Sequence, residues 1–371
     1  VSSMAASAAA SSTPSMRRYV ERAAAAAESL VSRRAELVAP VIEACRGARG
    51  HAAACAPSRL VIIASGSSFN AAQMALPFMR ERLGASCPVE VTTPFSYVHF
   101  SDAPEPSALA LVVTQSGRST NAIEAIDKLR EQCVRAVCVT GDASSPAAAH
   151  ADVAVDYGVG EELVGYVTKG VTTLVTFLCL LAMGLSGSDE GLAELERALA
   201  AAWKATNLAP GFVERHFKQL TSMQVAYICS AGAGMGVSLE GALKIGETVH
   251  IPCMVSELEE FIHGPNLQLT PAYTVFMVDP GGSASKRAWQ VFEACRAVTD
   301  GAYLLTSDES RKDDPCAFVA PRVDPALVSL AYLPFFQMVS AMVSEALGSE
   351  RQHPLVGRFK EIASAKVRDE Q

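Results

Sequence analysis

Short, wholly apolar, β-branched runs, each passing through small residues into a helical pattern, recur along this chain and restrict its fold more than any other feature. LVIIA (60–64) leads through SGSSFN into a helical pattern over Ala71–Leu83, and ALALVVT (108–114) leads through QSGRST into another over Asn121–Gln132. VEVTT (89–93), RAVCVTG (135–141) and ADVAVDY (151–157) read as further strands. A strand without polar alternation is buried on both faces, as in a parallel sheet covered by helices. After the Gly/Ser break GLSGSDE (184–190) and a polar amphipathic helix to about Leu208, the rhythm restarts with VAYICSA (225–231), YTVFMVD (273–279) and GAYLLTS (301–307). Strands alternating with helices predict α/β architecture, here two three-layer α/β/α units with mainly parallel sheets. The second unit repeats the first in fold with little sequence identity.

Outside this rhythm, Met16–Arg46 predicts one long amphipathic helix with Tyr19, Ala23, Leu30, Leu37 and Val41 on its apolar side, closed by Gly47 and Gly50. The first fifteen residues are an Ala/Ser-rich tail, read as disordered, without the basic start and apolar core of a leader. The expected division is this tail (1–15), an N-terminal helix (16–50), a first domain (51–205) and a second (206–371). The apolar run 171–185 is short for a bilayer and predicts a buried helix. Leu327–Leu347 holds one or two more apolar helices.

Charge narrows the function classes. A net charge of −8 and a pI near 5.5 oppose a general nucleic-acid binder, yet they do not oppose an anionic small ligand held on backbone amides. The ten cysteines include no CxxC pair and mostly lie in apolar runs, which points to a reducing, cytoplasmic compartment. The seven histidines lie apart without an HxxxH pair, so neither a metal nor another cofactor is expected.

In a parallel sheet, ligands sit beyond the C-terminal strand ends, where helix N-termini point. Ser65, Gly66, Ser67 and Ser68 follow the first strand; Thr114, Gln115, Ser116, Gly117, Arg118 and Ser119 follow the third. Hydroxyls and helix amides of this kind cradle a phosphate without a Walker lysine, although Ser and Thr there also serve as plain N-caps. Neither loop is GxGxxG or GxxxxGK[ST], so a nucleotide has no support. A second cluster lies in EGALKIGETVHIPCMVSELEEFIHGP (240–265). Lys244 and Glu247 share a helix face, and His263 follows at a Gly-Pro turn; together they suit proton transfer on a sugar, or else form a surface ion pair and a turn histidine. Glu257, Glu259 and Glu260 read as an amine-recognising group or a solvated face, and Glu161 and Glu162 are equally open.

SGSSFN, TQSGRST, EELVGYVTKGVTTLVTFL and EGALKIGE…EFIHGP occur in an order that resembles the tandem sugar isomerase (SIS) domains over about residues 20–371. The chain looks most like the isomerase half of glucosamine-6-phosphate synthase and its stand-alone relatives, amino-sugar-phosphate deaminases and fructosamine-6-phosphate deglycases. The resemblance implies that Thr114, Gln115, Ser116 and Ser119 bind the sugar phosphate, with Ser68 near it or at the sugar's other end. It further implies that Glu247 is the base of a 1,2-proton shift, with Lys244 beside it, and that His263 opens the ring in a neighbouring subunit. Lys366 resembles the tail lysine that forms a Schiff base, although ASAKVRDEQ departs from the usual ending. Arg118 stands where the synthase has an acid, Gly165-Tyr166-Val167 replaces Val-Ala-Ser, and LEEF replaces AGEL. These departures leave the sugar and its amine open.

The expected activity is that of a phosphosugar isomerase-type enzyme on an amino-sugar or ketosamine 6-phosphate, releasing the amine after ring opening and proton shift. It is expected to act without glutamine-derived ammonia, since no N-terminal cysteine nucleophile precedes residue 20. A homodimer with shared active sites, or a higher oligomer, is expected, with no nucleic acid or membrane partner. The alternatives are a non-catalytic sugar-phosphate sensor and a simple aldose–ketose phosphate isomerase.

Overall fold

The computed structural model describes residues 14–47, 57–105, 107–349 and 352–367. Most of the Ala/Ser tail (1–13) and Gly50 lie outside them. The N-terminal segment forms α1 (Met16–Ser32) and α2 (Arg34–Gly47). The single helix expected over 16–46 is thus two: at Arg33 the backbone leaves helical geometry, and its amide closes a short turn on the Leu30 carbonyl.

The first sheet then builds as expected. Its elements are β1 (Leu60–Ala64), α3 (Gly66–Leu83), β2 (Val89–Thr92), α4 (Pro94–Phe100), β3 (Leu109–Thr114), α5 (Thr120–Glu131), β4 (Ala136–Thr140), α6 (Pro146–His150) and β5 (Val153–Asp156). Two long helices follow, α7 (Lys169–Ser186) and α8 (Leu192–Arg215), then the short α9 (Phe217–Thr221). The second sheet comprises β6 (Ala226–Ser230), α10 (Met235–Thr248), β7 (Cys253–Glu257), α11 (Leu258–Ile262), β8 (Thr274–Val278), α12 (Ser285–Arg296), β9 (Ala302–Thr306) and β10 (Ala317–Val319). The chain ends in α13 (Val328–Leu347) and α14 (Val356–Ile362).

Both sheets are parallel throughout, in the orders β2-β1-β3-β4-β5 and β7-β6-β8-β9-β10, so the two units share one topology. β10 completes the match. At three residues it carries too little pattern to read from sequence, and pairing with β9 defines it. α4 likewise lies in what reads as a proline-rich loop; Thr93 caps it by accepting the Ser96 N–H, and Pro94 takes the first position, where no N–H is needed.

Side-chain alternation divides the core. Leu60, Ile62 and Ala64 of β1 and Ala226 and Ile228 of β6 enter one hydrophobic cluster shared by both units. Val61 and Ile63 enter a separate cluster on the outer face of the first sheet, and Tyr227 and Cys229 one on the outer face of the second. The layer between the sheets holds α1, α2, α3, α7, α8, α10 and α13. α7 and the segment Pro325–Leu347 are apolar and long enough to cross a membrane, but 83% and 94% of their apolar windows are buried inside the protein. They are core helices, which explains their lack of a polar face.

The two units meet most tightly where α10 crosses α3. A Cβ at Gly236 would lie 2.6 Å from the Met74 backbone nitrogen and 2.7 Å from its Cα. A methyl group at Gly246, on the same helix, would meet nothing within 4 Å. We therefore expect Gly236→Ala to lower unfolding free energy in urea by about 1–3 kcal/mol through overpacking. Gly246→Ala should be neutral or stabilising by up to about 1 kcal/mol, as in any open helix interior.

Candidate functional site

A cavity of about 770 Å³ opens at the C-terminal ends of β1 and β3, where the strand order reverses direction. Ser65, Ser67 and Ser68 line it from the first loop, and Thr114, Gln115, Ser116 and Ser119 from the second. Gly66 is not among its lining residues; its φ of +55° makes the sharp exit from β1 that a side chain would strain. SGSSFN is part of α3 itself, which begins at Gly66 and not at Ala71. Ser65 and Ser119 stand at the N-cap positions of α3 and α5 yet make no side-chain cap bond. Ser119 Oγ is instead 2.6 Å from Asn121 Oδ1. The second loop needs its glycine: at φ +60°, a Cβ on Gly117 would lie 1.8 Å from Ser145 Oγ.

The chain's far end completes this cavity. Lys366 lines it, because residues 365–367 run antiparallel beside the second loop. Thr120 N–H donates to the Ala365 carbonyl at 3.1 Å and Val367 N–H to the Arg118 carbonyl at 2.9 Å. Arg118 Nη2 donates to the Val367 carbonyl at 3.3 Å. Arg118 also lines the cavity, so two cations sit among the hydroxyls, an arrangement suited to an anionic ligand.

Residues 159–165 and Val167 form the opposite wall. Glu162 anchors it by accepting the amide N–H groups of Thr168, Lys169 and Gly170 (3.0, 2.7 and 3.1 Å), which fills the N-terminus of α7 with a carboxylate. Gln115 Nε2 donates to the same carboxylate at 2.8 Å, and Tyr157 Oη donates to Gln115 Oε1 at 2.9 Å. The Gln115 side chain is therefore held within the wall, in space that exists because residue 170 is glycine. At the α7 N-terminus, the Thr168, Lys169 and Gly170 amides are already taken by Glu162.

Lys244 and Glu247 lie on α10 outside this lining, as does His263. Lys244 is fully buried, with Nζ 2.6 Å from Glu247 Oε2 and 3.5 Å from Glu240 Oε1. Burial works to lower its pKa, but Glu240 and Glu247 outweigh that and hold the ammonium above its ordinary value. Glu240 is also fully buried. Burial pushes its carboxyl up, opposed by Lys244, Asn70 and Ser67. Ser67 Oγ donates to Glu240 Oε1 at 3.0 Å and Asn70 Nδ2 to Oε2 at 2.9 Å, so α3 and α10 are joined by a buried polar network. The pattern reading passed over Glu240 and Asn70, although Glu240 stands four residues before Lys244, the spacing of a helical ion pair.

His263 ends α11 on an exposed turn. Of the acids before it, Glu257 caps α11 by accepting the Glu259 and Glu260 N–H groups at 2.7 and 3.0 Å. Glu259 forms a two-pronged bond with Arg287 at 2.6 and 3.1 Å, which lowers its pKa. Both are engaged in holding the short helix and its turn.

The second unit has the same switch point but a different filling. Gly232 and Gly282 adopt positive φ (+51° and +66°), as Gly66 and Gly117 do after β1 and β3. Asp279, directly after β8, is buried and accepts from Gly281 N–H, Ser285 Oγ, Trp289 Nε1 and Thr306 Oγ1 at 2.7–3.0 Å. Its own carboxylate consumes the donors that the corresponding first-unit loop offers to a cavity.

Residues 54–183 match the SIS domain model. The glutamine–fructose-6-phosphate aminotransferase (isomerizing) of Pyrobaculum aerophilum is 28% identical over 309 residues, covering 81% of this chain and 50% of that protein. The chain thus spans about half the length of the curated relatives it matches. A putative phosphosugar isomerase from Clostridium difficile superposes with a TM-score of 0.82 at 20% identity, covering 96% of this chain and 100% of the other. Glucosamine-6-phosphate deaminase from Thermotoga maritima superposes with a TM-score of 0.72 at 17% identity, covering 91% and 97%. At these identities the superpositions speak for the fold; residues 54–183, the first α/β unit, match the SIS domain, and the second unit repeats that unit's strand order.

Proposed function

We propose that the chain is a phosphosugar enzyme that acts on an amino-sugar or ketosamine 6-phosphate, opening the ring, shifting a proton between C1 and C2 and releasing the amine. The observation that carries this reading is the meeting of Lys366 with the hydroxyl loops after β1 and β3 in one cavity. In this scheme the second loop and Arg118 hold the phosphate, whose binding energy positions the distant carbonyl end. An open-chain ketosamine carries its ketone at C2 and its amine at C1, whereas an open-chain amino sugar carries its aldehyde at C1 and its amine at C2. Glu247 moves the proton, and the Lys244 ammonium steadies negative charge on the enamine or enolate. From a ketosamine the shift leaves a C1 imine, which water hydrolyses to the aldose phosphate and the free amine. From an amino sugar it leaves a C2 imine, from which Lys366 displaces ammonia to form its own imine, and water then hydrolyses that imine to the ketose phosphate and free Lys366.

His263 opens the ring in the cavity of a second copy. An exposed His263 outside the cavity lining supports that role, as does Leu267 in the following turn, 86% exposed. A binding-only reading draws on the same fact, since Lys244, Glu247 and His263 all stand outside the cavity lining.

Three measurements decide. Glu247→Gln should reduce turnover of fructosamine 6-phosphates or glucosamine 6-phosphate by about a hundredfold or more, the scale of a lost general base, with sugar-phosphate affinity retained; a wild type that binds but converts neither favours the sensor. Borohydride added with fructose 6-phosphate should attach a stable adduct to Lys366, read by peptide mass, and Lys366→Met should abolish it. Mixed Glu247→Gln and His263→Asn subunits should recover activity that neither variant has alone; no recovery would place both residues in one chain's site.

A further inference from the structure

Ser67 lines the cavity, but its hydroxyl proton is committed elsewhere. It is donated to Glu240 Oε1 at 3.0 Å, while Asn70, which does not line the cavity, donates to Oε2 at 2.9 Å. A serine has one proton to give, and phosphate oxygens at neutral pH are chiefly acceptors. Turning Ser67 toward a phosphate would take a donor from a carboxylate with no solvent exposure, a costly exchange. That carboxylate also meets Lys244 Nζ, 3.5 Å from Oε1, whose shorter bond of 2.6 Å goes to Glu247 Oε2. Beside Glu240, at Gly241, the neighbouring elements present apolar Ile228 and Phe336. Two residues of α3 thus fix both oxygens of Glu240, Glu240 helps fix the ammonium, and the ammonium fixes the carboxylate that stands part-exposed at the end of the line.

We propose that Ser67 and Asn70 are positioning residues, acting through Glu240 on Lys244 and Glu247, and that Ser67 is not a ligand of the sugar phosphate. This rests on Glu247 being the base of the proposed reaction. It divides the work of the SGSS segment, with Ser65 and Ser68 facing the ligand and Ser67 facing the proton-transfer helix. It also gives the contact between the two units a chemical purpose, because the first unit then sets the geometry of a group carried by the second.

The test separates positioning from phosphate contact. Ser67→Ala and Asn70→Ala should each lower kcat by about tenfold or more, with fructose 6-phosphate affinity by calorimetry within about twofold of wild type. Ser67→Thr, which keeps the hydroxyl, should restore turnover. In urea unfolding, Ser67→Ala and Glu240→Gln should be non-additive, as expected of residues that share one bond. Loss of affinity by about tenfold in Ser67→Ala at unchanged kcat, or strictly additive stability effects, would overturn the proposal. Should Ser67→Ala fail to fold, Asn70→Ala and Ser67→Thr still report both quantities. A wild type that binds fructose 6-phosphate without converting any sugar phosphate would end the enzymatic reading instead; the affinity of Ser67→Ala and the stability cycle would still decide whether Ser67 holds phosphate or Glu240.

Discussion

Burial of both faces of two parallel sheets is the constraint on which the rest of this structure depends. Each sheet turns one set of alternating residues outward, under its own helices, and the other set inward, onto a helical layer that both sheets share. Because the inner layer is common, α3 and α10 must approach closely, and Gly236 makes room for the Met74 backbone where they cross. The polar groups caught in that contact have to satisfy one another, since a buried unpaired charge costs more than the fold can spare. Ser67, Asn70, Glu240 and Lys244 do so, and the line they form leads out to Glu247.

Duplication of the fold has not meant duplication of the site. The same strand order and the same positive-φ glycines produce two switch points, one in each unit. In the first, hydroxyls and Arg118 face open space; in the second, Asp279 occupies the loop donors from within. A carboxylate with four donors needs no ligand, whereas in the first unit Ser65, Ser68, Thr114 and Ser116 line an open cavity. In the second unit the buried Lys244–Glu240 pair and Glu247 lie on α10, away from its switch point.

The cavity of the first unit is closed by parts distant in sequence. Its far wall is hung from α7 through Glu162, and α1 supports it where Tyr19 Oη accepts the Leu163 N–H at 2.9 Å. Its remaining edge comes from residues 365–367, paired beside Ser119 by backbone hydrogen bonds and held by Arg118 Nη2 on the Val367 carbonyl. Backbone pairing of this kind is nearly indifferent to side-chain identity, so it places Lys366 in the cavity lining whatever side chains flank it.

By itself the sequence determined the architecture, because buried parallel strands must be continuously apolar and helices must show their own period, and both signals are local. LVIIA, ALALVVT, VAYICSA and YTVFMVD are legible as strands for that reason, and the small-residue loops after the first two line the cavity. Local pattern fails where a partner elsewhere decides. The break at Arg33 lets α1 lie on α7, α8 and α13 while α2 lies on α7 and β5; β10 exists only beside β9. Likewise, no local pattern shows that Tyr157 and Glu162 hold the Gln115 side chain in the cavity wall, or that α11 and Arg287 engage Glu257 and Glu259. Tertiary structure alone decided which hydroxyls stay available to a ligand and which are spent on Glu240, since a proton shared between α3 and α10 depends on a contact that no spacing along either helix records.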